Sequence, residues 1–257
     1  SPPAPSPMLY LCIPAYNEAP TVGLVLWRIR KVFEEHSREY EVIVLDDGST
    51  DATSETLEPY RDVMPLTILR NDERGGYAAA IDTLARAASK KTRYPRRDAA
   101  IFMQADFTDQ PEHVPELVKR FEGGADVVVA EQDGVPANEP TAVRRLRAVA
   151  RFLVRGAAKV DGVDDPFGSF RLVRIAVLRD LIKARGDTPL VNGAGWTANL
   201  DFLLALRPFA RRVEAVALGA RYDLRPRNTR VRPFAGALDL YKFGRAHRAG
   251  RVDTSPT

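Results

Sequence analysis

Two stretches decide the fold: Leu-Tyr-Leu-Cys-Ile-Pro-Ala-Tyr-Asn-Glu at residues 9–18 and Glu-Val-Ile-Val-Leu-Asp-Asp-Gly-Ser at residues 41–49. Each begins with an apolar run of strand length and ends in polar residues. The segment between them opens at Pro20 and carries apolar residues at helical spacing, namely Val22, Val25, Leu26, Ile29 and Phe33. A strand, a helix and a second strand in that order are typical of a parallel sheet covered by helices.

The same pattern continues downstream. Apolar runs at residues 66–69, 99–103 and 126–130 predict three more strands, with helices at Tyr77 to about Ser89 and after Pro111. The sequence therefore predicts an α/β fold with a mostly parallel, Rossmann-like central sheet flanked by helices. A Gly-x-Gly-x-x-Gly fingerprint after the first strand and a Walker A loop are both missing, so a nucleotide would be bound by other means.

The composition is that of an ordinary soluble protein, and the length is enough for one large α/β domain. The chain has 257 residues, of which 45% are hydrophobic and 28% charged. No apolar run reaches the length of about 18 residues that a membrane span needs, which predicts a cytoplasmic protein without a transmembrane segment. The one cysteine, Cys12, excludes an internal disulfide and favours a small core residue in a reducing compartment. Residues 1–7 predict a flexible tail without the features of a signal peptide.

Positive charge is concentrated near the end of the chain. From Arg207 to Arg251 there are twelve Lys or Arg against three acids, a local net charge of +9. We expect residues 231–257 to form a basic tail or amphipathic helix suited to an anionic surface, although a solvated basic face fits the same pattern. Nucleic acid would explain this segment but not the acids that follow the strands, so no nucleic-acid partner is expected.

Acidic residues follow three of the predicted strands. Glu18 comes after the first, Asp46 and Asp47 end the second, and Asp106 and Asp109 follow the fourth. The carboxyl ends of parallel strands share one edge of the sheet, so these carboxylates should converge there. A divalent cation held together with phosphates would relieve their mutual repulsion. Each cluster alone also fits a turn or helix cap, and only their joint placement favours a site.

These motifs resemble a known family. Residues 14–18 (PAYNE), 46–49 (DDGS) and an Ala-Asp pair after the fourth strand resemble glycosyltransferase family 2 with its GT-A fold. Residues 165–172 (DPFGSFRL) and the glycine-rich helix start at 75–78 resemble the polyprenyl-phosphate glycosyltransferases, the group that contains dolichol-phosphate mannose synthase. The resemblance implies one GT-A domain over residues 8–230.

On the donor side, the resemblance implies a pocket for a nucleoside-diphosphate sugar. The base and ribose of the donor would contact Pro14, Tyr16 and Glu18. Asp46 would contact the nucleoside, with Asp47 nearby. Gly76, Gln104, Ala105 and Asp106 would complete the donor site. Asp106 would also bind Mg²⁺ or Mn²⁺, with Gln104, Thr108 and Asp109 as further candidate ligands.

On the acceptor side, the resemblance implies that Ser169, Arg171 and Arg225 bind phosphate, with Asp106 and Arg171 as the catalytic pair. An acceptor phosphate is ionised near neutral pH and can attack without a dedicated base. The three histidines, His36, His113 and His247, are scattered and none follows a strand, which weakly favours such an acceptor.

The sequence departs from the resemblance at the metal motif, where Gln104 stands in place of the usual Asp. An amide oxygen brings no charge, so metal affinity should fall. The expected function is inverting, metal-dependent transfer to polyprenyl phosphate at the cytosolic membrane face, with docking through the basic tail or a separate membrane subunit. Two alternatives stay open: a soluble family 2 enzyme with a hydroxyl acceptor, and a catalytically weakened protein that only binds nucleotide sugar.

Overall fold

The computed structural model describes residues 6–132, 160–218 and 239–242, together with five isolated positions: Thr141, Arg144, Arg145, Ala150 and Arg245. The predicted tails at 1–7 and 231–257 and the predicted phosphate ligand Arg225 lie wholly or mostly outside these residues. In the part of the chain that is described, no helix is both long and apolar enough to cross a membrane.

A seven-stranded sheet forms the centre of the molecule. Its strands, in chain order, are β1 Leu9–Ala15, β2 Tyr40–Asp47, β3 Leu66–Asn71, β4 Ala99–Phe102, β5 Val127–Gln132, β6 Arg171–Arg174 and β7 Val213–Leu218. Their order across the sheet is β3-β2-β1-β4-β6-β5-β7. Only β6 runs antiparallel to its neighbours, β4 and β5, while β1 pairs in parallel with both β2 and β4.

Six α-helices cover the sheet within residues 6–132 and 160–218. They are α1 Val22–Glu35, α2 Thr53–Leu57, α3 Tyr77–Lys91, α4 Val114–Glu122, α5 Ile175–Arg185 and α6 Trp196–Leu206. The five apolar residues that predicted α1 are all buried. Short 3₁₀ helices at Glu58–Asp62, Pro111–His113 and Arg207–Phe209 connect or extend these elements.

The strands alternate their side chains between two hydrophobic cores, one on each face of the sheet. Leu9, Leu11 and Ile13 pack with α1 and α4, whereas Tyr10 and Cys12 pack with α3, α5 and α6. Because both faces are covered, β1 is apolar along its whole length, as buried parallel strands usually are. Burial raises the pKa of the Cys12 thiol, which fits its predicted place in the core.

The predicted α/β class and all five predicted strands are confirmed, each within a few residues of its expected bounds. The structure adds two strands that the sequence pattern did not indicate, β6 and β7. β6 has only four residues and begins inside the motif at 165–172, where the residues suggested ligand contacts rather than a strand. Its antiparallel insertion between β4 and β5 separates two strands that a simple parallel order would place together.

Candidate active site

An open cleft lies at the carboxyl edge of the sheet. Its cavity volume is about 90 Å³, and it is lined by Pro14, Ala15, Tyr16, Glu18, Asp47, Arg74, Tyr77, Ala80 and Gln104. The lining comes from the ends of β1 and β2, the segment after β4, and the start of α3. Residues remote in sequence therefore meet where open parallel sheets bind their ligands.

Asp47 lies on the cleft wall and anchors the start of α3. Its Oδ1 accepts hydrogen bonds from Asn71 Nδ2 and the Gly75 N–H, and its Oδ2 accepts one from the Gly76 N–H, all at 2.8 Å. Gly76 has a φ of 91°, a conformation that glycine adopts without strain. These N–H groups would otherwise be available to an anion at the helix start. The Asp47 carboxylate already occupies that place.

Asp46 is fully buried, at 0% exposure, and lies behind the cleft wall. Its Oδ1 accepts the Ser49 N–H at 3.0 Å, and its Oδ2 accepts the Ser54 hydroxyl. Arg70 Nε lies 4.0 Å from the same Oδ2. The two adjacent acids thus face different surroundings: Asp46 stabilises the turn into α2, and Asp47 contributes to the cleft.

The segment from Tyr16 to Glu18 is held in an unusual conformation. Asn17 has a φ of 54°, and its N–H donates to Ser49 Oγ at 3.0 Å. Glu18 is 7% exposed; its N–H donates to Thr53 Oγ1 at 2.9 Å, and its Oε2 accepts the Thr21 hydroxyl at 3.0 Å. These bonds join the end of β1 to the turn after β2 and fix Tyr16 at the cleft.

Arg74 is an exposed cation that the sequence pattern did not single out. Its guanidinium lies 4.0 Å from the centre of the Tyr16 ring, a cation–π contact across the cleft. The sequence offered one signal: a basic residue directly before Gly75-Gly76, on the edge where the acids converge. Arg74 supplies positive charge to a cleft whose other charged lining residues, Glu18 and Asp47, are acids.

The loop after β4 brings Gln104 to the cleft and Asp106 beside it. Asp106 Oδ1 accepts the Thr108 N–H at 3.0 Å and the Thr108 hydroxyl at 2.5 Å. Phe107, between them, is buried with a φ of 63°. Ala105 is 1% exposed and packs into the core rather than facing the cleft.

Asp109 connects this loop to the predicted acceptor motif. Its Oδ2 accepts the Gln104 N–H and the Ser169 hydroxyl, both at 2.8 Å. Asp109 is 8% exposed, so the carboxylate is largely enclosed. The bonds place Ser169 next to the loop that carries Gln104 and Asp106.

Arg171 is buried at 1% exposure and contacts main-chain carbonyls rather than the open cleft. Its guanidinium donates to the carbonyl oxygens of Asn199, at 2.9 Å, and Gly168, and lies over the Phe202 ring. Burial lowers the pKa of Arg171 to about 10, although Tyr77 and Asp109 oppose this shift. The side chain therefore holds the loop that precedes it.

Tyr77 lines the cleft and donates its hydroxyl to Asn199 Oδ1 at 2.7 Å. Burial raises the pKa of Tyr77, and the charges of Asp109 and Asp106 raise it further, while Arg171 lowers it. The sequence marked Tyr77 only as the first residue of a helix.

The structure thus brings five of the predicted donor residues to one cleft: Pro14, Tyr16, Glu18, Asp47 and Gln104. Gly76 is bonded to Asp47 at its rim, and Asp106, Thr108 and Asp109 lie in the adjoining loop. Asp46, Ala105 and Arg171 are enclosed by protein. Arg225 is outside the described residues.

An open, mostly parallel sheet with acids and an aromatic ring around a cleft at its carboxyl edge defines an α/β protein with a ligand site in the usual place for this class. The family model for glycosyl transferase family 2 matches residues 10–182, about two thirds of the chain. The chain belongs to that family.

Curated relatives share low identity over part of their length. An undecaprenyl-phosphate 4-deoxy-4-formamido-L-arabinose transferase of Pseudomonas fluorescens is 30% identical over 129 residues, covering 49% of this chain and 36% of the relative. A dolichol-phosphate mannosyltransferase of Pyrococcus furiosus is 26% identical over 171 residues, covering 65% and 46%. The chain thus spans about a third to a half of the curated relatives it matches.

Solved structures match over nearly the whole chain. Glucosyl-3-phosphoglycerate synthase from Mycobacterium tuberculosis, in complex with Mn²⁺, UDP and glucosyl-3-phosphoglycerate, has a TM-score of 0.65 at 19% identity, covering 98% of this chain and 82% of that one. Staphylococcus aureus TarS 1–349 with UDP-GlcNAc has a TM-score of 0.62 at 16% identity, covering 98% and 68%. At such identities the likeness establishes the GT-A fold.

Proposed function

We propose that this domain transfers a sugar, with inversion at the anomeric carbon, from a nucleoside-diphosphate sugar to polyprenyl phosphate. The observation that carries the proposal is the cleft at the carboxyl edge, where Tyr16, Asp47 and Gln104 meet beside the Asp106 loop. Relatives named for undecaprenyl-phosphate and dolichol-phosphate substrates support the acceptor class. Structural neighbours in complex with UDP and UDP-GlcNAc support a UDP-sugar as the donor.

Different residues of the cleft would bind different parts of the donor. Tyr16 and Arg74 form an aromatic and cationic pair suited to a nucleobase and its phosphates. The Gly75 and Gly76 N–H groups are bonded to Asp47, so the diphosphate would extend toward Gln104 rather than onto the start of α3. The sugar would then lie near the loop that carries Asp106.

The residues of this loop fit a divalent cation that arrives with the diphosphate. Mg²⁺ is commonly held by one or two carboxylates plus phosphate oxygens, and Asp106 with the Gln104 amide supplies a donor set of that kind. In the described ranges no three His, Cys, Asp or Glu side chains form a metal cluster, so the substrate's phosphates would complete the coordination of Mg²⁺ or Mn²⁺. When bound, such an ion would neutralise charge on the leaving diphosphate.

The reaction is a single displacement. An oxygen of the acceptor phosphate attacks the anomeric carbon from the face opposite the diphosphate, and the nucleoside diphosphate leaves with the electron pair of the broken C–O bond. The phosphate is already ionised, so the enzyme need not remove a proton. Neither described histidine, His36 nor His113, lines the cleft, and this arrangement suits such an acceptor.

A lipid acceptor implies contact with a membrane. The basic residues between Arg207 and Arg251 would dock the domain on anionic lipid at the cytosolic face, alone or beside a membrane subunit. Nucleic acid is not part of this proposal.

A second candidate is a soluble family 2 transferase with a hydroxyl acceptor. The specific observation in its favour is the structural likeness to glucosyl-3-phosphoglycerate synthase, whose structures include a complex with phosphoglyceric acid.

The test is transfer from UDP-, GDP- and dTDP-sugars with Mn²⁺, using undecaprenyl phosphate in detergent and 3-phosphoglycerate as parallel acceptors. We expect a lipid product whose anomeric configuration, measured by NMR, is opposite to that of the donor. Asp106→Asn should lower kcat/KM by about 100-fold or more, because charge on the leaving group is no longer balanced. Asp72→Asn, at an exposed position outside the cleft lining, is the matched control.

The other outcomes separate the alternatives. Transfer to 3-phosphoglycerate without transfer to the lipid would favour the hydroxyl-acceptor enzyme. Nucleotide binding without turnover on either acceptor would favour a protein that only binds nucleotide sugar. Retention of anomeric configuration would contradict the single displacement.

A further inference from the structure

Two cleft-lining residues are connected by hydrogen bonds to the same loop, residues 167–169, which precedes β6. Tyr77 reaches the loop through Asn199, and Gln104 reaches it through Asp109. The two connections start on different walls of the cleft, one at the beginning of α3 and the other after β4.

The first connection runs through α6. Tyr77 donates its hydroxyl to Asn199 Oδ1 at 2.7 Å, and Asn199 Nδ2 donates to the Phe167 carbonyl at 2.9 Å. Arg171 binds the main-chain carbonyls of both Asn199 and Gly168. Asn199 is 7% exposed and Arg171 1% exposed, so these bonds form in a largely enclosed region where their loss is costly.

The second connection runs through one carboxylate oxygen. Asp109 Oδ2 accepts the Gln104 N–H and the Ser169 hydroxyl, both at 2.8 Å. A displacement of the Gln104 backbone by a ligand would therefore change the position of Ser169. Phe167, at the other end of the loop, stacks on Trp196 at 5.6 Å, which ties the loop to the first residue of α6.

The loop also has little room to move independently of the sheet. A Cβ built on Gly168 would lie 2.9 Å from the Ala130 carbonyl oxygen of β5, so the backbone fits closely there. Small shifts in such tightly packed segments are transmitted to their neighbours rather than absorbed. The loop can therefore respond to both walls of the cleft.

We propose that Tyr77 is a positioning residue that couples nucleotide occupancy of the cleft to the loop at 167–169 through Asn199. This inference rests on the proposed function, in which the cleft binds a nucleoside diphosphate and the loop faces the acceptor phosphate. Coupling is reciprocal, so acceptor binding at the loop strengthens nucleotide binding by the same factor.

The experiment is hydrogen exchange of the wild-type protein and the Tyr77→Phe variant, with and without saturating UDP and Mn²⁺, read on peptides that contain residues 165–171. UDP affinity is measured in parallel by calorimetry. In the wild type we expect UDP to slow exchange in this segment by about tenfold, the scale of an ordinary coupling free energy. Tyr77→Phe keeps the ring but removes the hydroxyl; at a UDP concentration that saturates the variant, it should lose this effect.

Two further variants make the test specific. Tyr94→Phe removes a hydroxyl from an exposed ring in the loop that enters β4, at the edge of the sheet away from the cleft, and should behave as the wild type. Asn199→Ala should also abolish the UDP effect, and adding Tyr77→Phe to it should cause no additional change, because the two residues form one connection.

The outcomes separate this inference from the proposed function. UDP-dependent protection that survives in Tyr77→Phe would overturn the coupling. A wild-type enzyme that binds UDP and transfers sugar without protecting the loop would overturn the coupling alone. Absence of binding of UDP, GDP and dTDP by the wild type would overturn both.

Discussion

At the scale of single residues, Asp46 and Asp47 show why adjacent identical side chains differ in function. In a strand, neighbouring side chains point to opposite faces, so only one of the pair can face a given cavity. Asp46 is enclosed and bonded to Ser49 and Ser54, whereas Asp47 lines the cleft and holds Gly75 and Gly76. The sequence predicted that acids converge at this edge, but it could not assign which acid faces the cavity.

The same limit applies to Tyr77 and Asn199, which are separated by 122 residues and joined by one hydrogen bond. Nothing in the local pattern around either residue indicates the other. Tyr16, Glu18 and Gln104 could be found from sequence because each lies at or just after the end of a strand, where topology alone determines position.

Replacing Asp47 by Asn tests its dual role. The amide keeps one acceptor oxygen, for the Asn71 and Gly75 donors, but turns an NH₂ group toward the Gly76 N–H, so two donors face each other without an acceptor. We expect the free energy of unfolding in urea to fall by about 2 kcal/mol, and UDP binding measured by calorimetry to weaken about tenfold. Asp187→Asn, an exposed site remote from the cleft, should change stability by less than about 0.5 kcal/mol. Equal effects of the two variants would refute the assignment.

At the scale of elements, the predicted and observed folds differ where strand order is set by long-range pairing. The strands β1, β2 and β4 follow from apolar runs because they are largely buried on both faces, whereas β3, at the edge of the sheet, is only partly buried. The antiparallel β6 has four residues, and it is identified by pairing with β4 and β5 rather than by its own sequence. A short strand inside a functional motif gives no periodic signal, so its insertion between β4 and β5 was not predictable.

Asp126 joins three strands at the edge of the sheet away from the cleft. Its Oδ1 accepts Arg174 Nε at 2.7 Å, and its Oδ2 accepts the Arg211 N–H at 2.9 Å, which links the starts of β5 and β7 to the end of β6. Burial alone would raise the pKa of Asp126, but hydrogen bonds from Arg211 and Arg174 hold it below its usual range. This carboxylate therefore stabilises the fold in its ionised form.

We expect Asp126→Asn to lower the free energy of unfolding by about 3 kcal/mol, because Arg174 is left as a largely buried cation without its partner. Arg211 has a side chain that is 86% exposed, so Arg211→Ala should cost less than about 1 kcal/mol. Both values can be measured by urea unfolding at pH 7. The pKa of Asp126 is about 3.9 in the unfolded chain and lower in the folded protein. As pH falls through this range, the difference in free energy of unfolding between the wild type and Asp126→Asn should shrink. A constant difference down to pH 2 would contradict the argument.

At the scale of the whole molecule, stability should depend on His113, which lies between a 3₁₀ helix and α4. Burial lowers the pKa of His113, although Glu112 and Glu116 oppose this. The unfolded chain binds a proton near pH 6.5 that the folded chain binds only at lower pH. The contribution of neutral His113 to the free energy of unfolding is therefore fully present above pH 6.5, and it decreases as pH falls through that value.

The measurement is the thermal midpoint at pH 7.5 and pH 5.0 for the wild type and for His113→Gln. We expect the midpoint of the variant to fall less between the two pH values, because it lacks the group that titrates. His36→Gln, at the exposed end of α1, controls for the removal of a histidine. An unchanged pH dependence in His113→Gln would show that other groups cause the acid sensitivity.

The distribution of charge over the whole molecule allows a test of membrane docking. Two basic segments are available. One is residues 90–97, the end of α3 and the loop that enters β4 away from the cleft; the other is the C-terminal segment, of which Lys242 and Arg245 are described and exposed. A lipid acceptor must reach the cleft, so only a segment on the membrane-facing side should contribute. Each basic residue near an anionic surface contributes about 1 kcal/mol.

We therefore expect Lys242→Gln combined with Arg245→Gln to weaken binding to vesicles of phosphatidylglycerol and phosphatidylcholine by about 2 kcal/mol, or about 30-fold. UDP affinity should be unchanged, since neither residue lines the cleft. Lys90→Gln combined with Arg93→Gln removes the same charge from the other segment and is the matched control. Equal losses of vesicle binding from the two pairs would indicate attraction by net charge alone. A larger loss from the control pair would place the membrane against the edge of the sheet away from the cleft, where a lipid acceptor could not reach the site.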